Sequence, residues 1–325
     1  MFDHACTRRK WLLAIVAGAL ATFTAAQAGY AQGTWRALTP LPAPTEGMTV
    51  GGVGNTIISA YGVSSAAETN LTRLYNIASD SWSSGADAPL PARSQAASGD
   101  TTHARFLYVI GGASSGAVLP DLKRYDPVTD TWTPLASMLT ARAGAVAAAV
   151  DNNIFVIGGR LSAAGPCNGG PYLATVEKYD VDANTWSAVA PLPSPRSDLA
   201  AVAHGGKIFV FGGCSGTASF TGEVDMYNPE TDTWTTGLAP MPTARASLVA
   251  GHSGQRVYAI GGWNGASLDV NEVYDIAGDS WSMNTRMPTA RLEAGTHSHG
   301  GRVYVVGGAN PAFGTSTAAN EVFKP

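Results

Sequence analysis

Charged residues are scarce in this 325-residue chain: they make up 14% of it, and their formal sum at pH 7 is −4. Nucleic-acid binding needs a basic face, so this acidic balance disfavours a nucleic-acid partner. The chain also lacks a phosphate-binding glycine loop and a nucleophile-elbow serine, which are sequence signs of nucleotide binding and of many serine hydrolases. The composition predicts a neutral, polar surface.

Cysteine and histidine are few as well, with three and six copies. Zinc and copper sites need such donors in a close cluster. Five of the histidines are instead dispersed over several repeats of the pattern described below, at His103, His204, His252, His297 and His299. We therefore expect neither a metal nor any other cofactor.

The first 28 residues are typical of a secretory signal peptide. Thr7–Lys10 is positive, Trp11–Phe23 is apolar and uncharged, and Ala26–Ala28 offers small residues for cleavage. A membrane anchor is the alternative, but the apolar stretch is short and alanine-rich. The positive segment also resembles a twin-arginine export signal. We expect an exported protein, periplasmic or secreted, whose mature part (29–325) is one domain without a membrane span.

Tryptophan recurs at intervals of about 50 residues, a period typical of arrays of small β units. The recurring positions are Trp35, Trp82, Trp132, Trp186, Trp234 and Trp281. A tyrosine lies seven positions before five of them, at Tyr75, Tyr125, Tyr179, Tyr227 and Tyr274. Still earlier in each unit, a glycine pair ends an apolar run, as in Ile154–Gly159, with a weaker copy at Ile57–Gly62. One unit cannot bury a core alone, so the units must pack on one another.

Each unit is predicted to contain four strands. Small residues dominate the first strand, as in Arg142–Val150, which suits a crowded position near a central axis. The second strand is a continuous apolar run because both of its faces are buried. The third strand carries the tyrosine and the fourth begins at the tryptophan. Their large rings are expected to pack between neighbouring sheets.

This order of features resembles the kelch repeat family, over roughly residues 33–325. The resemblance implies an all-β fold, a six-bladed β-propeller of four-stranded kelch blades. The repeats lie near 40–82, 90–132, 140–186, 191–234, 240–281 and 287–325. The last repeat ends before its tryptophan, whereas Trp35 precedes the first repeat. We therefore predict that residues 33–38 supply the outer strand of the sixth blade and close the ring, which removes exposed sheet edges.

The resemblance also places ligands at one mouth of the central channel, on the loops that enter the first strands and those that follow the glycine pairs. Five entry loops carry an arginine, at Arg93, Arg142, Arg196, Arg245 and Arg291. Together they could form a positive mouth for an anionic ligand, as in the kelch domain that recruits acidic peptides to a cullin ligase. Alternatively, they bond backbone carbonyls between blades. The sequence leaves both interpretations open.

Other candidates lie near the same mouth. Asp198 and Glu293 follow Arg196 and Arg291 by two positions. They are candidate catalytic acid and base groups or, alternatively, partners that neutralise those arginines. The loops after the glycine pairs add Arg160, Trp263 and Asn264 as ligand-binding candidates. Trp263 stands outside the repeat pattern, so either it contacts a ligand or it covers its own blade.

The two cysteines outside the leader, Cys167 and Cys214, follow the glycine pairs of blades 3 and 4. An even pair in an exported protein suggests a disulfide. Such a bond would contribute roughly 2–4 kcal/mol to stability.

Two functions of different classes follow. The first is an exported scaffold that binds a peptide, glycan or protein at the arginine-bearing mouth. This ligand could be anionic. The second is a mutarotase or epimerase of an acidic sugar, because the periplasmic sialic-acid mutarotase is also a six-bladed kelch propeller. The residues favour the scaffold and leave catalysis uncertain.

Overall fold

The computed structural model describes residues 32–93, 96–98 (backbone only), 105–216 and 219–325. These residues form β-strands joined by turns and loops, without an α-helix. Accordingly, the described part of the chain contains no helix of the length and apolarity needed to cross a membrane. The predicted leader, Gln95 and His103 lie outside the described residues.

Six four-stranded antiparallel sheets make up the described fold, numbered here as blades 1 to 6 in chain order. The inner strands are Thr49–Val53, Ala96–Ser98, Val146–Val150, Ala200–His204, Val249–Ser253 and Gly295–His299. The second strands are Thr56–Ala60, Leu107–Ile110, Asn153–Ile157, Lys207–Phe211, Arg256–Ile260 and Arg302–Val306. The third strands are Thr72–Asn76, Leu122–Asp126, Val176–Asp180, Val224–Asn228, Asn271–Asp275 and Asn320–Lys324. The outer strands are Ser81–Gly85, Thr131–Leu135, Thr185–Val189, Thr233–Thr235, Ser280–Met283 and, for blade 6, Thr34–Ala37.

The inner strands of neighbouring blades contact one another in an unbroken ring, including blade 6 with blade 1. The N-terminal strand closes this ring as predicted. It pairs antiparallel with the last strand, so that Trp35 lies opposite Phe323. The expectation of a six-bladed propeller closed by its own beginning is therefore confirmed.

The second strands form the centre of the core because both of their faces pack against other side chains. In blade 3, Ile154, Val156 and Ile157 are completely buried. Phe155 and Ile157 pack on Ile208 and Val210 of blade 4. Crowding near the axis explains the small residues of the first strands, since a Cβ on Gly295 would overlap Val50 of the neighbouring blade.

Tyrosine and tryptophan connect each blade to the one before it. In blade 2, the Trp132 indole N–H donates to the carbonyl of Ala86, which follows blade 1, at 2.9 Å. Asp130 Oδ1 accepts the Ala86 amide at 2.6 Å and the Tyr125 hydroxyl at 2.5 Å. The pKa of Asp130 is lowered, and the hydrogen bond from Tyr125 is the largest cause of this shift. Blade 2 thus binds both the amide and the carbonyl of Ala86.

The same contact recurs around the ring. The carbonyls that accept a tryptophan N–H belong to Thr39, Ala86, Ala136, Ala190, Ala239 and Thr285. The last of these accepts the N–H of Trp35, which stacks on Phe323 with ring centroids 5.1 Å apart. The predicted packing of rings between blades is present, and it includes directional hydrogen bonds.

Glycine pairs allow a second inter-blade contact. The Gly159 amide donates to the carbonyl of Arg196, the entry residue of blade 4, at 2.8 Å. Gly158 has a φ of 65°, and a Cβ there would lie 2.5 Å from that carbonyl oxygen. Only glycine combines this backbone angle with so close an approach.

Three short hairpins lie at one end of the propeller, two after glycine pairs and one after Tyr61–Gly62. They are Val63–Ser64 with Ala67–Glu68, Ala113–Ser114 with Ala117–Val118, and Cys214–Gly216 with Ser219–Phe220. Bridges join these segments to the entry loops, as between Arg93 and Ala113. The glycine-pair loops and entry loops therefore build one end together.

We predict that Trp35→Ala destabilises the folded protein by about 2–4 kcal/mol, because it removes a half-buried ring and its hydrogen bond to Thr285 at the point of closure. Chemical denaturation followed by tryptophan fluorescence measures the change. Arg36→Ala is the matched control, since that side chain lies on the same strand and is 66% exposed. Equal stability of the two variants would contradict the closure role of Trp35.

Candidate functional site at the channel mouth

Backbone hydrogen bonds between blades define the mouth of the channel. Each described blade contributes the residue two positions after its entry residue, namely Gly47, Gly144, Asp198, Ser247 and Glu293. The Asp198 amide donates to Gly144, Ser247 to Asp198, Glu293 to Ser247 and Gly47 to Glu293, at 2.7–3.0 Å. The corresponding residue of blade 2 lies outside the described residues.

Every residue of this series has a positive φ. The values for Asp198, Ser247 and Glu293 are 56°, 52° and 49°, a region that non-glycine residues enter at a cost. Strained non-glycine residues cluster at functional sites. The fold thus holds two carboxylic side chains and one hydroxyl at the mouth in a conformation that local preference opposes.

A recess of about 120 Å³ lies inside the mouth, lined by residues that include Asp198, Ser247 and Glu293. The inner strands line a larger channel of about 620 Å³, whose walls are mostly alanine, glycine and valine. His252 and His297 lie along this channel. Among the described residues, the only close trio of metal-type donors is Asp198 with Cys167 and Cys214. Its sulfurs are bonded to each other, so they are not thiolate ligands.

Four of the predicted ligand-binding arginines are buried in their own blades. Arg142, Arg196, Arg245 and Arg291 are at most 1% exposed. Arg142 donates to the carbonyls of Gly158 and Thr175 at 3.0 and 2.9 Å and forms an ion pair with Glu177. The other three pair with Asp225, Glu272 and Glu321.

The prediction of a positive, ligand-contacting mouth is therefore wrong for these four arginines. Their side chains bond carboxylates and carbonyls inside the blades. Burial lowers the pKa of Arg291 to about 10, with Glu321 opposing the shift. Such a pair is strongly disrupted when one partner is lost, because a buried charge remains.

Their carboxylate partners lie at a fixed place that the sequence interpretation missed. Glu177, Asp225 and Glu272 lie two residues before the repeat tyrosine, and Glu321 two before Phe323. Blade 2 has Lys123 at this position. Its Arg93 also lies one place later than the other entry arginines, because Ala92 accepts the glycine amide of the preceding blade and Arg93 bridges Ala113 as Ala143 bridges Arg160.

Arg93 accordingly turns toward its neighbours. Its Nε lies 3.3 Å from a Glu68 carboxylate oxygen of blade 1, and its side chain remains 33% exposed. A terminal nitrogen donates to the Ala163 carbonyl of blade 3 at 3.1 Å. Arg93 is thus the most accessible of the six candidate arginines.

Asp198 is paired, but with a different residue from the one predicted. Both of its carboxylate oxygens lie 2.6 Å from one guanidinium nitrogen of Arg160, whereas Arg196 forms its ion pair with Asp225. The Ser197 hydroxyl and the Cys167 amide also donate to it, at 2.7 and 3.0 Å. Arg160 is 1% exposed and bonds the Ala164 carbonyl with its other nitrogens. The pair therefore has little capacity left for a ligand.

Glu293 has a different environment. The predicted neutralising partner, Arg291, is bound to Glu321 instead. The Glu293 side chain is partly exposed and lines the recess. Burial raises its pKa to about 8, and the charges of Asp198 and Glu46 add to the shift, whereas Arg160 and Arg93 oppose it. A carboxyl group that titrates near neutral pH can hold or transfer a proton.

Trp263 and Asn264 lie on the rim of the mouth. The Trp263 backbone bonds Ala246 in both directions, at 2.8 and 3.0 Å, so the residue is held in place. Its indole packs on Phe313 of blade 6, with ring centroids 5.3 Å apart, and Asn264 is exposed. The predicted combination of an aromatic face with an adjacent amide is present.

Cys167 and Cys214 form a disulfide that joins the loops of blades 3 and 4, with their Cα atoms 5.7 Å apart. Tyr172 and Phe220 pack around it. The bond fixes the loop whose Cys167 amide donates to Asp198. The predicted disulfide thus also supports one wall of the mouth.

Comparison with known proteins identifies the repeats. A family model described as the KLHDC2/KLHL20/DRC7 Kelch-repeats domain matches residues 137–308, and a Kelch motif model matches residues 102–139. The chain belongs to the kelch repeat family. Its kelch repeats are 44% identical over 112 residues to Kelch-like protein 25 of Homo sapiens, across 34% of this chain and 19% of that protein. For Kelch-like protein 23 of Homo sapiens, the identity is 28% over 188 residues, across 58% and 31%.

These alignments span less than a third of the length of either curated relative. Kelch domains generally bind proteins. The solved structure of YjhT matches this kelch propeller with a TM-score of 0.74 at 17% identity, covering 87% of this chain and 95% of the other. At this identity the likeness shows the fold alone.

We expect Glu293→Gln to change how stability depends on pH. The folded pKa of about 8 exceeds the ordinary 4.5, so between these values the folded state holds a proton that the unfolded state releases. The resulting stabilisation is complete below about pH 4.5 and is lost as the pH rises toward about 8. Relative to the variant, the parent should lose up to about 1.4 kcal/mol per pH unit in this window.

Urea unfolding of parent and variant from about pH 5 to about pH 9 gives this difference. Glu230→Gln serves as the control, because its carboxylate is 86% exposed at the propeller's edge. A parent-minus-variant difference that does not change with pH would disprove the raised pKa.

Proposed function

We propose that this kelch propeller is an exported scaffold that binds a protein partner at the mouth face, with Trp263 and Asn264 in the contact. The observation that carries the proposal is the rim geometry. A ring pair, Trp263 with Phe313, lies beside an exposed amide. Aromatic anchors with adjacent directional polar groups are typical of binding surfaces.

A second rim feature supports the same face. Leu161 in the blade 3 loop is 44% exposed, although a disulfide restrains its loop. A restrained apolar surface loses little conformational entropy when a partner binds. The kelch family's general use of its propellers for protein binding adds support.

The charges at the mouth favour a neutral or cationic contact. Carboxyl groups of Glu46, Glu68, Asp198 and Glu293 surround the opening, whereas only Arg93 and Arg160 bring positive charge there among the described residues. Both guanidinium groups already contact a carboxylate. An anionic ligand would have to displace one of these contacts, so the scaffold proposal names a neutral or cationic contact.

Export is part of this proposal. The leader has the order of a secretory signal, and a buried disulfide suits an oxidising compartment.

Selection of displayed peptides on the immobilised propeller tests the proposal. We expect the selected peptides to bind Trp263→Ala at least about 30-fold more weakly than the parent, the loss typical of an aromatic hot spot. Asn264→Ala should weaken the same peptides, and Val128→Ala, at an exposed edge turn, should not. Peptides that bind all three variants equally would place recognition elsewhere and refute the assignment.

A second candidate function, mutarotation of an acidic sugar such as sialic acid, is favoured by one observation. Glu293 lines the recess with a pKa of about 8, as suits a proton carrier. The sugar's carboxylate would have to displace Glu68 to bind the partly exposed Arg93. Proton NMR of anomer exchange in sialic acid would show acceleration by the parent and none by Glu293→Gln. Exchange at the uncatalysed rate with the parent protein would eliminate this candidate.

A further inference from the structure

The recess at the mouth is small and has acidic but no basic residues in its described lining. Its polar side chains are Asp198, Ser247 and Glu293, and Met48, Leu199 and Leu248 supply apolar walls. The volume of about 120 Å³ is well above the roughly 10–15 Å³ that a single water needs when a cavity is measured with a water-sized probe. It can therefore accept one small polar group on a short apolar stem.

Two polar groups of the recess have unused hydrogen-bonding capacity. Ser247 is 8% exposed, and its hydroxyl is buried without a partner among the described residues. A buried hydroxyl left in this way is costly unless a ligand or water satisfies it. The Glu293 carboxyl likewise has no hydrogen bond to a described residue, in contrast to Asp198, which accepts several.

The charges around Glu293 set the sign of the ligand. Asp198 and Glu46 face it with negative charge, and Arg160 and Arg93 with positive charge. The two arginines already pair with Asp198 and Glu68, and among the described residues the Glu46 carboxylate accepts from the Gly314 amide alone, at 2.8 and 3.1 Å. The uncompensated groups in and beside the recess are therefore carboxylic, and a cation is favoured over an anion.

We propose that the recess binds one primary ammonium group on a short alkyl chain, such as the side chain of a lysine presented by the protein partner. An ammonium offers three N–H donors, and Glu293 and Ser247 are the acceptors of the recess that have no side-chain hydrogen bond to a described residue. The methylene stem would contact Met48, Leu199 and Leu248. This inference rests on the proposed function, because it names the chemical group that the same face recognises.

Proton release should accompany binding. Glu293 has a pKa of about 8 in the free protein, so it is mostly uncharged at neutral pH, and an ammonium ion favours its ionised form. Binding should therefore strengthen as the pH rises toward about 8, by at most about tenfold per unit. An alkylammonium remains protonated throughout this window, since its pKa is near that of lysine, about 10.4.

Isothermal titration calorimetry with n-butylammonium tests the proposal, with 1-pentanol and butyrate as uncharged and anionic probes of similar size. We expect n-butylammonium to bind the parent at least tenfold more tightly than either control near pH 8. Near pH 7, the heat should depend on the buffer's ionisation enthalpy in the direction of proton release. Equal binding of 1-pentanol, or no binding of n-butylammonium, would overturn the proposal.

Variants locate the site. Glu293→Gln should weaken n-butylammonium at least tenfold and abolish proton release, and Ser247→Ala should weaken it less. The exposed Glu230→Gln, which also removes one negative charge, should bind as the parent does. Undiminished binding by Glu293→Gln would overturn the proposal. If Glu293→Gln does not fold, the dependence of the parent's binding heat on the buffer still tests the proposal, because heat that does not change with the buffer would contradict proton release.

The two proposals can fail separately. Displayed peptides that depend on Trp263, together with no binding of n-butylammonium, would keep the scaffold function and remove the ammonium site. Binding of n-butylammonium, together with the absence of any peptide that depends on Trp263, would keep the ammonium site and remove the scaffold function. The recess would then be assigned to a free amine. Loss of peptide binding after acetylation of a peptide lysine would identify that lysine as the source of the ammonium.

Discussion

The ring depends on one repeated contact, the hydrogen bond from the second glycine of each pair to the carbonyl of the next blade's entry residue. It runs from Gly159 to Arg196 at 2.8 Å, and at the closure from Gly308 to Thr45 at 2.8 Å. The entry residue then leads directly into the mouth, since the residue two positions later carries the next inter-blade bond. Blade spacing and mouth geometry are therefore set by the same few backbone groups.

This arrangement separates stability from recognition. The entry arginines are used within the blades, as Arg245 with Glu272 at 2.5 Å shows. Blade 2 departs from the pattern in two ways, because Lys123 replaces the internal acid and Arg93 lies one place past Ala92, whose carbonyl accepts the glycine amide. Arg93 is therefore left partly exposed at the mouth. Trp263 on the rim is a second departure from the structural repeat.

Much of the fold could be predicted because its causes are local in sequence. The period of the tryptophans gave the number of blades, and the misplaced Trp35 gave the closure. The disulfide followed from two cysteines in corresponding loops of adjacent blades. The site was harder to predict. Asp198 was expected to pair with Arg196 nearby in sequence, yet its partner is Arg160, on the loop of the preceding blade. A choice between nearby cations depends on side-chain direction, which the spacing of residues does not fix.

Sequence alone determined the repeat, the strand pattern and the residues that face the axis, since steric and hydrophobic constraints act at every repeat in the same way. Only the tertiary structure decided the chemistry of the mouth. The pKa of Glu293 depends on burial and on Asp198, Glu46, Arg160 and Arg93, and these five residues come from five different blades. Electrostatic energy depends on distance through space and on access of water, and neither is known until the ring has closed.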